Sequence, residues 1–239
     1  MPRRDPLVAV ITGSTKGIGL AIAEALVRRG DRVVVSSRTA SNVEEVARRL
    51  GRGGAGETFP IPCDVRDPDA CADLVAGAVE QFGRLDLLVN NAGLGRFAPI
   101  QEMDPADWDL QIRTNLDGVF HCSRAAVPHL IASGGWIVNI GSLAGRNTFS
   151  GGVGYNASKW GLLGMTEAMM LDLRHEGVRV SCIMPGSVNT HFFGEAPDPS
   201  KDWRLTPGDV AQAVLDLLEF PSRALPSRIE IRPSRPPKS

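Results

Sequence analysis

A single α/β domain over residues 1–239 is the fold class that the sequence predicts: a doubly wound, mostly parallel sheet of about seven strands with helices on both faces. Three observations predict it. Short runs rich in Val and Ile recur along the whole chain and are nearly continuous, as strands buried on both faces must be. Segments with apolar steps of three and four lie between them. The first such run passes directly into a glycine-rich turn.

The expected strands lie at 7–11, 33–35, 59–61 (the weakest), 85–89, 137–140, 178–183 and 229–231. Helical periodicity is carried by Ile18, Ala21, Ile22, Ala25 and Leu26, and again by Leu74, Ala78 and Phe82. The stretch 157–173 is long enough for more than four turns. GRGGAG at 51–56 reads as a loop, 187–206 as a flap over the substrate, and the Pro-rich end 233–239 as a frayed tail. No internal repeat is evident.

Composition narrows the function. The formal net charge is −1, so the chain has no global electrostatic reason to bind nucleic acid or an anionic membrane. Two arginines precede the first apolar run, but that run ends at Thr12, too soon for a signal peptide. No stretch approaches a membrane span. Cys63, Cys71, Cys122 and Cys182 have neither zinc-site nor disulfide-framework spacing and read as reduced, buried thiols of a cytoplasmic protein. His121, His129, His175 and His191 form no H-x-x-x-H pair, so no metal is expected. The absence of G-x-S-x-G disfavours a serine hydrolase.

The turn runs Thr12-Gly13-Ser14-Thr15-Lys16-Gly17-Ile18-Gly19. A strand–turn–helix of this kind brings backbone N–H groups and a helix N-terminus to a pyrophosphate; the alternative is an ordinary Gly-rich turn. The second strand ends in Ser36-Ser37-Arg38, where a dinucleotide fold meets the adenosine ribose. No carboxylate stands there to accept from a 2′-hydroxyl, and Arg38 with Lys16 suits a 2′-phosphate, so NADP(H) is favoured over NAD(H). Solvated surface charge is the alternative for both.

The chain's one tyrosine, Tyr155, precedes Lys159 by four residues, which sets the two on one helix face. A nearby ammonium is expected to lower the phenol's pKa towards a range useful for acid–base work. Ser142 follows the fifth expected strand, at the end where open α/β sheets hold ligands.

Together these residues resemble the short-chain dehydrogenase/reductase family, a Rossmann-type fold, in its single-domain, NADP(H)-preferring form. The resemblance spans roughly residues 7–231. Thr12–Gly19 is similar to the family's T-G-x-x-x-G-x-G cofactor turn, Asp64-Val65 to its adenine-contacting acid, and Asn90-Asn91-Ala92-Gly93 to its N-N-A-G run. Asn115, Ser142, Tyr155 and Lys159 match its catalytic set, and Pro185-Gly186 with Val188 and Thr190 its nicotinamide-carboxamide segment.

The resemblance implies hydride transfer between a nicotinamide and a small-molecule carbonyl or secondary alcohol, as in a ketone or 3-oxoacyl reductase. Tyr155 would be the acid or base, and Ser142 would polarise the oxygen. Lys159 would serve both Tyr155 and the ribose, and the Asn115 carbonyl would hold a relay water. Leu94, Gly95, Arg96, Leu143, Phe149, Phe192 and Phe193 are candidate pocket residues; Trp108, Trp136 and Trp160 read as packing residues. The long helix after Tyr155 is too apolar for one buried face, which implies a homodimer or homotetramer. The last strand leads into Pro233 rather than a V-D-G-G-like end, which favours the dimer. A non-catalytic NADP-sensing regulator on the same fold is the alternative, and epimerase or dehydratase chemistry would need a longer substrate region.

Overall fold

A computed structural model describes residues 5–193 and 196–237. The Arg3–Arg4 pair and parts of the expected flap (194–195) and tail (238–239) lie outside the described residues.

Strands β1 (Val8–Thr12), β2 (Arg32–Ser36), β3 (Glu57–Pro60), β4 (Leu87–Asn90), β5 (Trp136–Ile140), β6 (Arg179–Pro185) and β7 (Arg228–Ile231) form one seven-stranded sheet in the order 3-2-1-4-5-6-7. Every pairing is parallel. The helices are α1 (Gly17–Arg29), α2 (Ala40–Gly53), α3 (Pro68–Phe82), α4 (Pro105–Ile112), α5 (Gly118–Ser133), α6 (Val153–Leu173) and α7 (Pro207–Glu219).

Alternation along the strands divides the core in two. Ala9 and Ile11, Val33 and Val35, Leu87 and Val89 face α1, α2 and α7. Val10, Val34, Leu88, Ile137 and Val180 face α3 and α5, where Met169, Met170 and Leu173 of α6 also pack. Strands β1, β2, β4 and β5 are almost wholly buried, while the edge strands β3 and β7 are half-exposed, which is why only the inner strands carry uninterrupted Val/Ile runs. Burying each such side chain contributes about 1.5–3 kcal/mol.

Helix ends are fixed by local chemistry. Asp67 caps α3 by accepting from the Asp69 and Ala70 amides, with Pro68 following. Thr206 and Asp209 form a reciprocal capping box on α7. α1 closes on Gly30, whose φ of 99° only glycine adopts readily.

Three expectations shift. The fourth strand starts at Leu87 rather than 85, and the Asp86 carboxylate just before it accepts the Val8 amide at 2.9 Å. The helix expected at 157–173 begins at Val153, so Tyr155 lies in its first turn. Of the three tryptophans read as packing residues, only Trp136 is buried, with the Arg179 guanidinium over its ring; Trp108 and Trp160 are exposed. All four cysteines are buried and free. Among the described residues, no helix is long and apolar enough to cross a membrane.

Candidate active site

The sheet order reverses between β1 and β4, and a crevice opens there beyond the carboxyl ends of the strands. Gly13 (φ 65°) and Gly17 (φ 58°) turn the chain sharply out of β1 into α1. The α1 N-cap, Lys16, makes no side-chain cap and no acid lies in the first turn, so the leading amides of α1 are left to an anion. This is the fit that a dinucleotide pyrophosphate requires.

The glycine turn and the N-N-A-G run hold each other. Thr12 Oγ1 accepts from the Asn91 and Ala92 amides, both at 3.0 Å, and Asn91 Nδ2 donates to the Thr12 and Gly13 carbonyls. Asn91 therefore spends its amide on the protein. So does Ser14, fully buried, whose hydroxyl donates to the Ile11 carbonyl and accepts from the Ser36 amide. Ile18 and Val188 pack on the core, and the Val65 side chain is buried in it. Gly17 lies beside Thr190, and Gly186 donates to the Ile231 carbonyl. Thr15 and Ser37 are half-buried, and Lys16 and Arg38 are exposed.

Asp64, expected to face an adenine, is held by Arg66 in a fork-like ion pair, with Arg66 Nε at 2.9 Å from Oδ1. This bond, reinforced by the fields of Arg66 and Arg38, keeps the Asp64 carboxyl below the usual carboxylate range. Arg66 is thus a third cation on this side, not predicted from sequence.

The second cluster joins β5, α6 and the α4–α5 junction. Ser142 follows β5 in extended conformation and accepts from the Ala144 amide at 3.1 Å. Its hydroxyl is close enough to Tyr155 to pull the phenol's pKa down. The loop behind it is pinned by Asn156, which donates to the Ala144 and Asn147 carbonyls and accepts from the Phe149 amide.

Lys159 is buried, and its Nζ donates to the Ile140 carbonyl at 2.9 Å. Asn115 lies in a single π-helical turn, Arg113–Asp117, a local widening common at functional sites. Its amide clamps Leu94, accepting from the nitrogen at 2.9 Å and donating to the oxygen at 2.8 Å, and also donates to Ser158 Oγ. A Cβ on Gly93 would lie 3.2 Å from Asn115 Oδ1 and 3.9 Å from Lys159 Nζ, so glycine is what lets this strand end approach both.

The phenol is expected to be acidified, but burial pushes Tyr155 above the ordinary phenol value, with the Ser142 side chain opposing it. The ammonium lies over the ring, 5.9 Å from its centroid, and is spent on the Ile140 carbonyl. Burial also lowers the Lys159 pKa to about 8.

A family model described as short chain dehydrogenase matches residues 7–201. The chain belongs to the short-chain dehydrogenase family. It is 32% identical over 225 residues to the 3-oxoacyl-[acyl-carrier-protein] reductase of Thermotoga maritima, covering 90% of this chain and 91% of that one. The alcohol dehydrogenase of the archaeon Thermococcus sibiricus, complexed with 5-hydroxy-NADP, superposes with a TM-score of 0.92 at 30% identity, over 98% of this chain and all of the other. A metagenomic short-chain oxidoreductase in complex with NADP superposes at 0.82 with 38% identity, over 96% and 98%. As a short-chain dehydrogenase the chain is an oxidoreductase of CH–OH and C=O groups.

Of the expected pocket residues, Gly95 lies against the Phe192 ring, Phe149 stacks near Phe97, and Leu143 packs beside Met184. Arg96 turns to Asp107 at 3.4 Å. The Phe193 side chain lies outside what is described. Sequence reasoning missed Phe97, Gln111 and Asn156. Phe97 had a signal: it is a large apolar residue in a loop leaving the carboxyl end of a strand.

Proposed function

We propose that this short-chain dehydrogenase is an NADP(H)-dependent reductase of ketone or 3-oxoacyl carbonyls, reversible with the secondary alcohol. The observation that carries the reading is buried Lys159 over the Tyr155 ring with Ser142 beside them at the end of β5, at the edge of the sheet onto which the uncapped α1 terminus also opens. Bound NADPH supplies hydride to the carbonyl carbon.

The chain's own residues do the rest. Tyr155 donates its proton to the carbonyl oxygen. Ser142 hydrogen-bonds the same oxygen and stabilises the charge that develops on it. Lys159, anchored on the Ile140 carbonyl, would hold the nicotinamide ribose hydroxyls with its remaining N–H groups. Asn115 supports a proton-relay water through its backbone carbonyl, and its side chain fixes Leu94 above the site. In the oxidative direction Tyr155 is the base, so that direction gains from rising pH.

Gly13, Thr15, Gly17, Gly19 and the first amides of α1 would cradle the pyrophosphate. Asp64 and Val65 would border the adenine, with Ala92 and Gly93 along the adenosine. Pro185, Gly186, Val188 and Thr190 would meet the carboxamide. NADP(H) rather than NAD(H) is favoured by Ser37 and Arg38 at the end of β2 and Lys16 at the head of α1, with no carboxylate among them.

Assembly as a homodimer through α5 and α6 belongs to the same proposal: Phe120, Trp160 and Leu171 expose about half their surface, at 48%, 49% and 52%. Four buried free thiols suit the cytoplasm. The test is a panel of ketones followed by NADPH absorbance, with NADH in parallel. Turnover that survives Tyr155→Phe undiminished would refute the mechanism.

A further inference from the structure

Loops leaving the carboxyl ends of β4 and β6 each bring a phenylalanine to the Tyr155 ring, and the loop after β5 adds a third beside them. The Phe97 and Phe192 rings lie edge-on to Tyr155, with centroids 5.6 and 5.5 Å from its own. Phe149 extends the cluster, 5.8 Å from Phe97. The arrangement is braced. The Ala98 amide donates to the Gly151 carbonyl at 2.9 Å, and Ala98 bridges Gly152, which docks the first loop on the second. A Cβ on Gly95 would lie 2.6 Å from Phe97 Cζ and 2.9 Å from Phe192 Cε1, so glycine leaves the room in which the two rings come together. The 187–206 excursion that carries Phe192 is closed at its base by the Val188–Leu205 bridge.

We infer that the substrate's carbonyl carries an aromatic ring, so that aryl ketones and their benzylic alcohols are the substrate class, with Phe97 and Phe192 as the residues that select it. The inference rests on the reductase reading above and sharpens it.

Ring edges prefer other ring systems in edge-to-face or offset geometry. A substrate that reaches Tyr155 must part the rings that lean on it. An aryl group replaces each broken ring contact with another; a saturated or hydroxylated chain breaks the contacts and returns less. Polar recognition is spent elsewhere on these loops. Arg96 is drawn to Asp107 at 3.4 Å, and Arg146 to Glu230 at 2.7 Å. Gln111, fully buried, accepts from the Arg96 amide and donates to the Asp107 carbonyl. Thr190 Oγ1 accepts from the Phe192 amide. A polyol or an anionic thioester carrier would find these groups already engaged. Phe97 and Phe149 remain 40% and 48% exposed, so the slot is open on one side and accepts substituents on the ring.

The experiment compares acetophenone with cyclohexyl methyl ketone, dihydroxyacetone and the N-acetylcysteamine thioester of acetoacetate, using the full chain and NADPH. Acetophenone and cyclohexyl methyl ketone share a carbon skeleton, and conjugation makes acetophenone the less electrophilic, so any preference for it arises from the protein. The expected kcat/KM for acetophenone exceeds that for the saturated ketone by about tenfold, the worth of one to two aromatic contacts. Phe97→Leu and Phe192→Leu should each cut that ratio several-fold. Circular dichroism checks that the variants fold, and the wild-type ratio stands independently of them.

Turnover of the saturated ketone, the triose or the thioester at or above that of acetophenone overturns the inference and leaves the reductase reading intact. So does a ratio untouched by both substitutions. No NADPH oxidation with any carbonyl overturns both.

Discussion

Replacing Gly19 with alanine would set a methyl group against atoms that have nowhere to go. The added Cβ falls 2.5 Å from the Gly13 carbonyl oxygen, 2.4 Å from Asn91 Nδ2 and 3.0 Å from Ser14 Cα. Two of these are backbone, so no rotamer relieves the contact. The Asn91 amide could retreat only by giving up its bonds to the Thr12 and Gly13 carbonyls, at 2.9 and 3.0 Å. Overpacking of this kind costs about 1–3 kcal/mol. Two lost hydrogen bonds add about 0.5–1.5 kcal/mol each. The sum, about 2–6 kcal/mol, lowers Tm by about 4–24 °C in a chain of this size. The same atoms shape the pyrophosphate cradle, so NADPH affinity, read by nucleotide fluorescence, should fall by about tenfold or more. Gly53→Ala is the control: it ends α2 with nothing within 4 Å of the added carbon, and stability should change by less than about 1 kcal/mol. A Gly19→Ala protein that melts within about 2 °C of wild type and binds NADPH normally would refute the reasoning.

Tyr155→Phe should leave NADPH binding nearly intact while kcat falls by about 10²–10⁴, the contribution of a positioned acid; single-turnover kinetics separate the two. Arg38→Ala should weaken NADPH by about tenfold or more and leave NADH within about threefold, measured by titration; equal losses would remove the 2′-phosphate reading. Lys159, whose buried ammonium has a pKa lowered to about 8, binds fewer protons folded than unfolded above that pH. Its cost to stability is therefore fully present below pH 8 and is relieved as pH rises towards its unfolded value. Urea unfolding of wild type relative to Lys159→Met should gain about 2 kcal/mol between pH 8 and pH 10, and a flat difference would contradict the burial. Asn156→Leu removes three hydrogen bonds that hold the loop behind Ser142. It should cost about 2–4 kcal/mol on denaturation and depress kcat more than it raises KM.

The strands were legible because the inner ones are buried on both faces, so Val33, Val34 and Val35 or Ile137 and Val138 need no polar alternation. The motifs of the crevice were legible because glycine at Gly13 and Gly17 reports a backbone conformation that other residues resist. What sequence did not disclose is how side chains are spent. Asn91 and Ser14 stand in cofactor motifs yet bond the protein itself. The distance between the Lys159 ammonium and the Tyr155 oxygen depends on which acceptor the ammonium finds, and the Ile140 carbonyl is supplied by a strand remote in sequence. Arg66 on Asp64 could be suspected from spacing; the π-helical turn at Asn115 has no compositional mark. Phe97 acquires its meaning only when a second loop docks Phe149 beside it.

The bonds between Thr12 and Asn91 have a mechanical consequence. They rivet the two halves of the sheet together at the mouth of the groove, just beyond the Ile11–Val89 register pair. The groove's width is therefore set before any nucleotide arrives and cannot gape to admit one. Nucleotide thus meets a cradle already formed, and no free energy of binding goes into closing it.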